Sequence, residues 1–422
     1  MATIALQPRY KLVSPTRQRV LGIIYLALAF LLWFAFIRPL TADAVTTFGM
    51  TPGGLGVREL APWQLPTRTT ILLMAAVTAV VGGVQLVRGF GRWSTLVLGL
   101  VVGVFVFGFL IWSAAGRSLN LAGLLRATLS AAVPITLGAL SGVLCERAGV
   151  VNIAIEGMML AAAMMACLVG SITHNLWIGL LGGILTGALM AAVLAVLSIK
   201  YMTNQIISGT VINIFATGMT SFVSSKFLQT NQALNDPGVF RTFPIPGLVD
   251  IPLVGPIFFH NNMFVYGMFV LLFVLQFALF STRWGLRLRS VGEHPKAADT
   301  LGINVFRTRY MAVILGGLVA GFAGSYFTLG SVGRFDEVMT AGRGFIGLAA
   351  MIFGNWTPFG SFGAGLLFGF ANSLAAGIAI LGSSIPSEFL LMAPYVATIL
   401  VLAGVVGRGQ MPAADGTPYE KE

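Results

Sequence analysis

The sequence has very little charge. Only 9% of its 422 residues are Asp, Glu, Lys or Arg, whereas 57% are hydrophobic and the mean hydropathy is +0.89. Soluble domains carry about 25% charged residues, so this chain cannot cover a normal globular surface with charge. The shortage excludes an ordinary water-soluble protein and indicates one whose solvent is largely a lipid bilayer.

Metal ligands and catalytic motifs are also scarce. The two cysteines, Cys145 and Cys167, are too few for a structural zinc site and indicate no disulfide framework. His174, His260 and His294 are isolated, and neither H-E-x-x-H nor G-x-S-x-G occurs. No lysine follows a glycine, which excludes the phosphate-binding loop G-x-x-x-x-G-K-[ST]. We therefore expect no catalysis and no bound metal or cofactor in this chain.

Apolar runs of spanning length, about 20 residues each, recur along the chain. They lie at 20–37, 70–87, 94–114, 123–143, 151–172, 177–198, 203–223, 263–281, 310–329 and 389–407. A further apolar region, 343–380, is broken by GNWTPFG, and its first piece is too short to span, which predicts a re-entrant half-helix or a tilted short helix. The predicted fold is an all-α polytopic integral membrane protein with about 10–12 transmembrane helices, including re-entrant or discontinuous helices.

The formal net charge of +11 arises from basic residues that lie singly between apolar runs, without a basic face. This pattern excludes nucleic acid as a partner. If the N-terminus is cytoplasmic, 16 of the 25 Lys and Arg residues fall in cytoplasmic segments and eight in the opposite loops. Because basic residues concentrate on the cytoplasmic side, we predict a multi-pass protein of the plasma or inner membrane with its N-terminus in the cytoplasm.

The longest basic stretch between two spans is 282–309. Within it, Pro295 is placed to begin a short helix and Gly302 to end one. One interpretation is a solvated loop that follows the positive-inside rule. The other is a short helix that docks into a partner protein. The candidate docking residues are Glu293, Pro295, Ala297, Ala298, Asp299 and Gly302.

This loop also carries a family resemblance. The stretch AADTLGI (Ala297–Ile303) resembles the EAA-type coupling loop of ABC importer permeases, in which Glu-Ala-Ala is followed by three variable residues and Gly. Ala297, Ala298 and Gly302 match that spacing, whereas Lys296 stands in place of the Glu. With GLRLRSVGEHPKAAD, CERAGVVNIAIEGMML and AGRGFIGLAAMIFGNWTPFG, the loop makes the chain similar to the nucleoside and simple-sugar permeases related to the ribose permease.

The resemblance covers roughly 120–407 and suggests a domain organisation. Residues 1–115 are interpreted as an N-terminal three-helix extension, 116–408 as the permease core and 409–422 as a cytoplasmic tail. Within the core, 224–262 is rich in Pro and Asn and is predicted to be an external loop. The segment 282–309 is predicted to be the cytoplasmic coupling loop.

The resemblance implies a membrane subunit of an ATP-driven importer of nucleosides or, alternatively, of ribose-like sugars. Two permease chains, similar or identical, would enclose the pathway and work by alternating access. ATPase subunits that bind ATP and Mg would dock on the cytoplasmic loops, and an extracellular or periplasmic protein would deliver the substrate. The missing phosphate loop fits a chain that is not itself an enzyme. The rival from another class is an ion-coupled secondary transporter, for whose cation site only Glu156 is well placed.

Four polar side chains interrupt the apolar pattern in LCERAGVVNIAIEGMML (144–160). Ionisable groups within a membrane are costly unless they are paired or hydrated, so they are functional candidates. Glu146 and Arg147 are interpreted as a structural polar turn in which the two charges neutralise one another. Asn152 and Glu156, four residues apart, are predicted to share a helix face and to line or shape the pathway. The alternative is that Glu156 bonds an adjacent helix.

A second polar group lies in TNQIISGTVINIFATG (203–218). Asn204, Gln205 and Asn213 are neutral hydrogen-bonding residues that suit the amide-like edges and hydroxyl groups of a nucleoside. We predict that they contribute to the same translocation pathway. Hydrogen bonding between helices explains them equally well.

Overall fold

The computed structural model describes residues 15–41, 43–53, 59–380, 386, 388–389, 391–392, 395 and 410–421. In this part of the chain, ten helices are long and apolar enough to cross a membrane. They are Pro15–Ile37, Thr67–Val87, Gly91–Ser113, Leu121–Glu146, Ile155–Thr173, Leu176–Lys200, Gln205–Leu228, Met263–Ser281, Val305–Val332 and Pro358–Ile380. The predicted all-α polytopic class is confirmed. Nine predicted spans correspond to observed ones, and the tenth, 389–407, lies almost wholly outside the described residues.

The α-helices are numbered in chain order. They are α1 (Pro15–Leu31), α2 (Thr67–Val87), α3 (Ser94–Ser113), α4 (Leu121–Glu146), α5 (Ile155–Thr173), α6 (Leu176–Ala195), α7 (Gln205–Val223), α8 (Val254–Phe258), α9 (Met263–Ser281), α10 (Arg283–Glu293), α11 (Pro295–Thr300), α12 (Val305–Ser325), α13 (Arg343–Phe353) and α14 (Pro358–Ile380). π-Helical turns extend four of the spans, at Leu32–Ile37, Val196–Lys200, Ser224–Leu228 and Tyr326–Val332. Short 3₁₀ turns lie at Gly91–Trp93 and Gln232–Asn235.

The chain divides into two compact units, the first of which contains most of the described residues up to 122. Here α1 packs against α2 and α3. A small sheet, which the apolar pattern did not predict, has the strand order β2-β1-β3. Its strands are β1 (Val45–Gly49), β2 (Trp63–Pro66) and β3 (Ser118–Asn120). β1 pairs antiparallel with β2, so that Val45 lies opposite Pro66, and parallel with β3.

The second unit contains 123–376 and the described part of the tail. Its centre is α5, packed against α6, α12 and α7. Close approach of these helices depends on glycine. A Cβ on Gly187 of α6 would lie 2.6 Å from the backbone of Gly321 on α12. In lipid, where apolar side chains gain nothing by leaving their solvent, such backbone packing drives helix association.

The broken apolar region folds as a short helix followed by a long one. Helix α13 has 11 residues, about 16 Å at 1.5 Å per residue, roughly half of the hydrocarbon thickness. The prediction of a piece too short to span is confirmed. The turn between α13 and α14 contains Asn355 and Trp356, both in the left-handed conformation with φ of +56° and +52°. Polar groups at both ends of such a helix need partners within the protein.

The predicted external loop, 224–262, contains local structure. It includes the helix α8 and a two-stranded antiparallel ribbon of β4 (Phe243–Pro244) and β5 (His260–Asn261). Asn235 connects it to the loop that contains Phe335. The Nδ2 of Asn235 donates to the Phe335 carbonyl at 3.0 Å, and its Oδ1 accepts the Phe335 N–H at 2.7 Å. The loop is therefore a folded segment.

Candidate functional site

The polar segment 144–160 forms a break between two membrane-spanning helices. Helix α4 ends at Glu146 and α5 begins at Ile155. Between them Gly149 takes a φ of +83°, which residues with a Cβ rarely adopt. A Cβ there would also lie 2.9 Å from Nη2 of Arg309. The conformation and the close contact together explain why glycine occupies this turn.

The carboxylate of Glu156 caps the start of α13. It accepts hydrogen bonds from the Thr340 hydroxyl at 2.6 Å and from the backbone N–H groups of Gly342 at 2.8 Å and Gly344 at 2.6 Å. N–H groups in the first turn of a helix have no partner within the helix, and the helix dipole favours a negative charge there. Glu156 is buried, and a Cβ on Gly344 would lie 2.6 Å from its backbone. The start of α13 is therefore locked against α5.

Glu146 and Arg147 contact the opposite end of α13. The Glu146 carboxylate accepts a 2.6 Å hydrogen bond from the Trp356 indole. Arg147 donates from Nε to the Trp356 carbonyl at 2.8 Å and from Nη2 to the Asn355 carbonyl at 3.2 Å. A guanidinium at the end of a helix stabilises carbonyls that lack helical partners. Instead of neutralising one another, the two side chains bind the segment that follows α13.

The predicted common helix face of Asn152 and Glu156 is wrong. Asn152 lies in the turn before α5, so the four-residue spacing does not have helical geometry. Its Nδ2 lies 3.4 Å from the Cys145 sulfur and 3.8 Å from the Met158 sulfur. Its Oδ1 is buried without a hydrogen-bond partner among the described residues. Asn152 is thus a core polar group, and its role in the pathway stays a prediction.

Side chains of α7 hold the backbone of the same break. The Asn213 amide accepts the Gly157 N–H at 2.8 Å and donates to the Ile153 carbonyl at 2.9 Å. The Gln205 Oε1 accepts the Val151 N–H at 2.7 Å. Both side chains therefore satisfy backbone groups that the break leaves without helical partners.

Asn204 lies at the start of α7 and caps it. Its Oδ1 accepts the N–H groups of Ile206 at 3.0 Å and Ile207 at 3.1 Å, which are orphan donors of the first turn. All five predicted pathway residues thus have identifiable packing or capping contacts, apart from the unpaired amide oxygen of Asn152. Whether they also meet a substrate stays a prediction.

The segment 282–309 folds as α10, α11 and the start of α12. Pro295 is the first residue of α11, and Gly302 follows the helix with φ of +81°. The N–H groups of Gly302 and Ile303 donate to the carbonyls of Asp299 and Ala298 at 2.9 and 3.0 Å, the arrangement of a Schellman C-cap. The predicted bounds of this short helix are confirmed.

The tail, 410–421, packs on this segment. The Ala414 N–H donates to the Gly292 carbonyl at 2.9 Å, and the Ala413 N–H donates to the Glu293 carboxylate at 3.2 Å. Tyr419 is buried in a small apolar cluster that includes Ala298 of α11. The tail therefore covers part of the predicted coupling loop.

The tail also brings a carboxylate to the end of α4. Asp415 lies beside Glu146 and Arg309, close enough for their charges to interact. Burial raises the pKa of Asp415 to about 7, although Arg309 opposes the shift. Arg309 is almost fully buried and donates to the Thr417 carbonyl at 3.0 Å. Two carboxyl groups and one guanidinium thus meet where the tail contacts the membrane-spanning helices.

Several residues of these contacts were not identified from the sequence. They are Thr340, Gly342 and Gly344 at one end of α13, Trp356 at the other, and Arg309 and Asp415 at the tail. Gly342 precedes α13 and Gly344 lies in its first turn, but glycine is a signal for the end of a helix and not for its start. Their carboxylate partner is almost 190 residues away in the chain, and no local pattern reveals such a pairing. Among the described residues, no group of three or more His, Cys, Asp or Glu could hold a metal ion.

Comparison with known proteins shows a family model described as "Branched-chain amino acid transport system / permease component", which matches residues 124–405. The guanosine ABC transporter permease protein NupQ of Bacillus subtilis is 42% identical over 70% of this chain and 95% of the relative. The nucleoside ABC transporter permease protein NupC of Lactococcus lactis is 41% identical over 68% and 93%. The putative glucose ABC transporter permease protein TsgC13 of Haloferax volcanii is 36% identical over 71% and 98%. No solved structure matches the chain.

The matched residues include α5, the segment 144–160, the predicted coupling loop and both α13 and α14. The family match extends over more than half of the chain, and the relatives are covered over nearly their whole length. With the ten apolar helices, these similarities establish a multi-pass membrane protein. The chain belongs to the family of ABC transporter permease components.

Proposed function

We propose that this chain forms part of the translocation pathway of an ATP-driven nucleoside importer. The observation that carries the proposal is its 41–42% identity to permeases named for guanosine and for nucleosides. A ribose-like or other simple sugar is the second candidate substrate, supported by the 36% identical relative named for glucose. Both candidates keep the same architecture and differ in the substrate that enters the pathway.

ATP hydrolysis, in this proposal, belongs to separate subunits. The sequence has no phosphate-binding loop, so ATP and Mg would be bound by partner ATPases. These would dock on 282–309, where α10, α11 and the tail form one surface. A second permease chain, similar or identical, would complete the pathway, and an extracellular or periplasmic protein would supply the substrate. The distribution of Lys and Arg supports a cytoplasmic N-terminus in the plasma or inner membrane.

Alternating access would depend on α13. Glu156 holds its start, whereas Glu146 and Arg147 hold the turn at its end. Movement of the coupling loop would reach this turn through the tail, since the Gln410 N–H donates to the Asn355 side chain at 2.7 Å. We propose that Asn152, Glu156, Asn204, Gln205 and Asn213 shape the pathway by fixing these elements.

Uptake measurements test the proposal. The chain is expressed with its candidate ATPase, second permease and binding protein, and uptake of labelled guanosine, ribose and glucose is compared. We expect ATP-dependent guanosine uptake that survives collapse of the ion gradients by an ionophore. Loss of uptake with the ionophore at constant ATP would favour the ion-coupled rival. Uptake of ribose or glucose without uptake of guanosine would show that the substrate is a sugar, the second candidate, and not a nucleoside.

A further inference from the structure

A cavity of about 310 Å³ lies between α4, the π-helical turn Tyr326–Val332 and the start of α13. Its lining includes Ser130, Pro134, Tyr326, Phe327, Asp336 and Arg343. None of these is among the five residues predicted to line the pathway, which are Asn152, Glu156, Asn204, Gln205 and Asn213. Small-molecule sites span about 300–1,000 Å³, so this cavity suits one nucleoside or sugar and is too small for a peptide.

The lining combines aromatic rings with a guanidinium. The guanidinium carbon of Arg343 lies 5.5 Å from the centroid of the Phe327 ring, and the rings of Tyr326 and Phe327 pack edge to face 6.0 Å apart. Nη1 of Arg343 donates to the carbonyls of Met339 and Thr340 at 3.4 Å each. A guanidinium has five N–H donors. Both of these bonds are donated by Nη1, so neither uses the N–H groups of Nη2 or Nε. A heteroaromatic base can stack on such a surface and present acceptor atoms to the donors.

A larger polar cavity, of about 610 Å³, adjoins the first and shares Val332 and Asp336 with it. Amide and carboxylate side chains line it, among them Gln229, Gln232, Asn235 and Asp236. Where the cavities meet, the Asp336 carboxylate pairs with Arg334 at 3.1 Å, and both side chains are more than half exposed. Exposed ion pairs contribute little stability, so a ligand hydroxyl can compete for this carboxylate.

We infer that the smaller cavity binds a nucleoside, with the base against Phe327 and Arg343 and the ribose hydroxyls at Asp336. The inference rests on the proposed function and assigns it a site of substrate contact. A carboxylate accepts hydrogen bonds from two neighbouring hydroxyls, whereas a hexose offers no heteroaromatic ring for the aromatic surface. A nucleotide would bring its phosphate near the Asp336 carboxylate, which repels it.

This site adjoins the hydrogen bonds by which Glu156 holds the start of α13. Arg343 is the first residue of α13, and the backbone N–H groups of Gly342 and Gly344 on either side donate to Glu156. A nucleoside that contacts Arg343 therefore contacts the helix whose other end is bonded to the tail through Asn355. The proposed substrate site and the tail, which packs on the predicted coupling loop, therefore lie at opposite ends of one short helix.

Neighbouring carboxylates provide the test. Asp336 lines the cavity, whereas the Glu337 side chain accepts from Gln229 at 3.1 Å and is not part of the lining. In the complete transporter, Asp336→Asn should raise the guanosine concentration for half-maximal uptake about tenfold, as loss of a charged acceptor predicts. Glu337→Gln is the matched control and should leave it unchanged. For 2′,3′-dideoxyguanosine, which lacks the diol, Asp336→Asn should resemble the parent protein.

Photolabelling supplies a second readout that does not need turnover. Membranes that contain the transporter are irradiated with 8-azidoguanosine, and the labelled peptides are mapped with and without excess guanosine. Labelling of 326–343 that guanosine suppresses supports the site, and labelling elsewhere overturns it. If the parent protein transports guanosine but Asp336→Asn and Glu337→Gln behave alike, the site is wrong and the proposed function stands. If the parent transports only sugar, the proposed function itself fails.

Discussion

The two ends of α13 are held in different ways. At the start, one buried carboxylate, Glu156, accepts three short hydrogen bonds, all from uncharged donors. At the other end, the side chains of Glu146 and Arg147 contact a turn whose two residues, Asn355 and Trp356, have positive φ. The tail is bonded to that same turn. The first end is held by three hydrogen bonds to one carboxylate, and the second is strained and connected to the tail.

This difference indicates that the start of α13 at Glu156 is held rigidly and that the turn at Asn355 and Trp356 can adjust. We call the first the fixed joint and the second the adjustable joint. A carboxylate with three donors loses several bonds at once if the helix withdraws, so the start of α13 resists displacement. Residues in the left-handed region cost of order 1–3 kcal/mol each and persist only when their surroundings hold them. If movement of 282–309 shifts the tail, the turn at Asn355 is the element that can respond. Predictions that target each joint separately test this comparison.

Removing the fixed joint should have the largest effect. Glu156→Ala leaves three donors without their acceptor, and we expect a loss of about 3 kcal/mol or more of stability together with loss of uptake. Thermal unfolding of the purified protein in detergent measures the change. Glu337→Ala removes an exposed carboxylate and should leave the transition within about 0.5 kcal/mol of the parent. Equal stability of both variants would contradict the fixed joint.

Gly344 tests the same joint by crowding. A Cβ there would lie 2.6 Å from the backbone N and Cα of Glu156, so Gly344→Ala should separate α5 from α13 at a cost of about 1–3 kcal/mol. Gly363 of α14 has nothing within 4 Å of an added Cβ, and Gly363→Ala should be neutral or stabilising by up to about 1 kcal/mol. Both variants are compared by thermal unfolding. A neutral Gly344→Ala would show that α13 is not locked.

Asn355 tests the adjustable joint. Asn355→Gly removes the acceptor of the Gln410 N–H and relieves the positive φ of +56°. Because these effects oppose one another, we expect global stability to change by less than about 1 kcal/mol. The tail should be released, so limited proteolysis should cleave 410–421 several times faster. Asn231→Gly, which alters an asparagine on the 224–262 loop, is the control. Unchanged tail cleavage in Asn355→Gly would contradict the proposal that Asn355 holds the tail.

The last expected effect is confined to the tail and is a pH dependence of its docking. Burial raises the pKa of Asp415 to about 7, although the neighbouring Glu146 and Arg309 oppose the shift, against about 3.9 for an exposed Asp. The docked tail therefore binds more protons than the free tail between these values, and docking weakens as the pH rises from about 4 to about 7. Hydrogen exchange of the tail amides, corrected for intrinsic rates, measures this. Asp415→Asn should flatten the dependence, Asp250→Asn should not, and a slope retained in Asp415→Asn would assign it elsewhere.

Much of the fold could be predicted from the sequence because its signals are local. A run of apolar residues must form a helix in lipid, where every backbone group needs an internal partner. Pro295 and Gly302 likewise mark the bounds of α11 through their own backbone preferences. The sheet of β1, β2 and β3 was missed, because its strands are short and β3 pairs with residues about 70 positions away.

The polar residues of 144–160 could be identified from the sequence, but their contacts could not. The sequence by itself determined a polytopic membrane permease and identified Glu146, Arg147, Asn152 and Glu156 as costly groups that need a purpose. Only the tertiary structure showed what three of them do, because the partners of Glu146, Arg147 and Glu156 at the two ends of α13 lie roughly 190–210 residues further along the chain. It also decided that the tail covers part of 282–309 and that an aromatic cavity adjoins Arg343. Periodicity reports which residues avoid lipid, whereas the choice of partner depends on how distant helices pack.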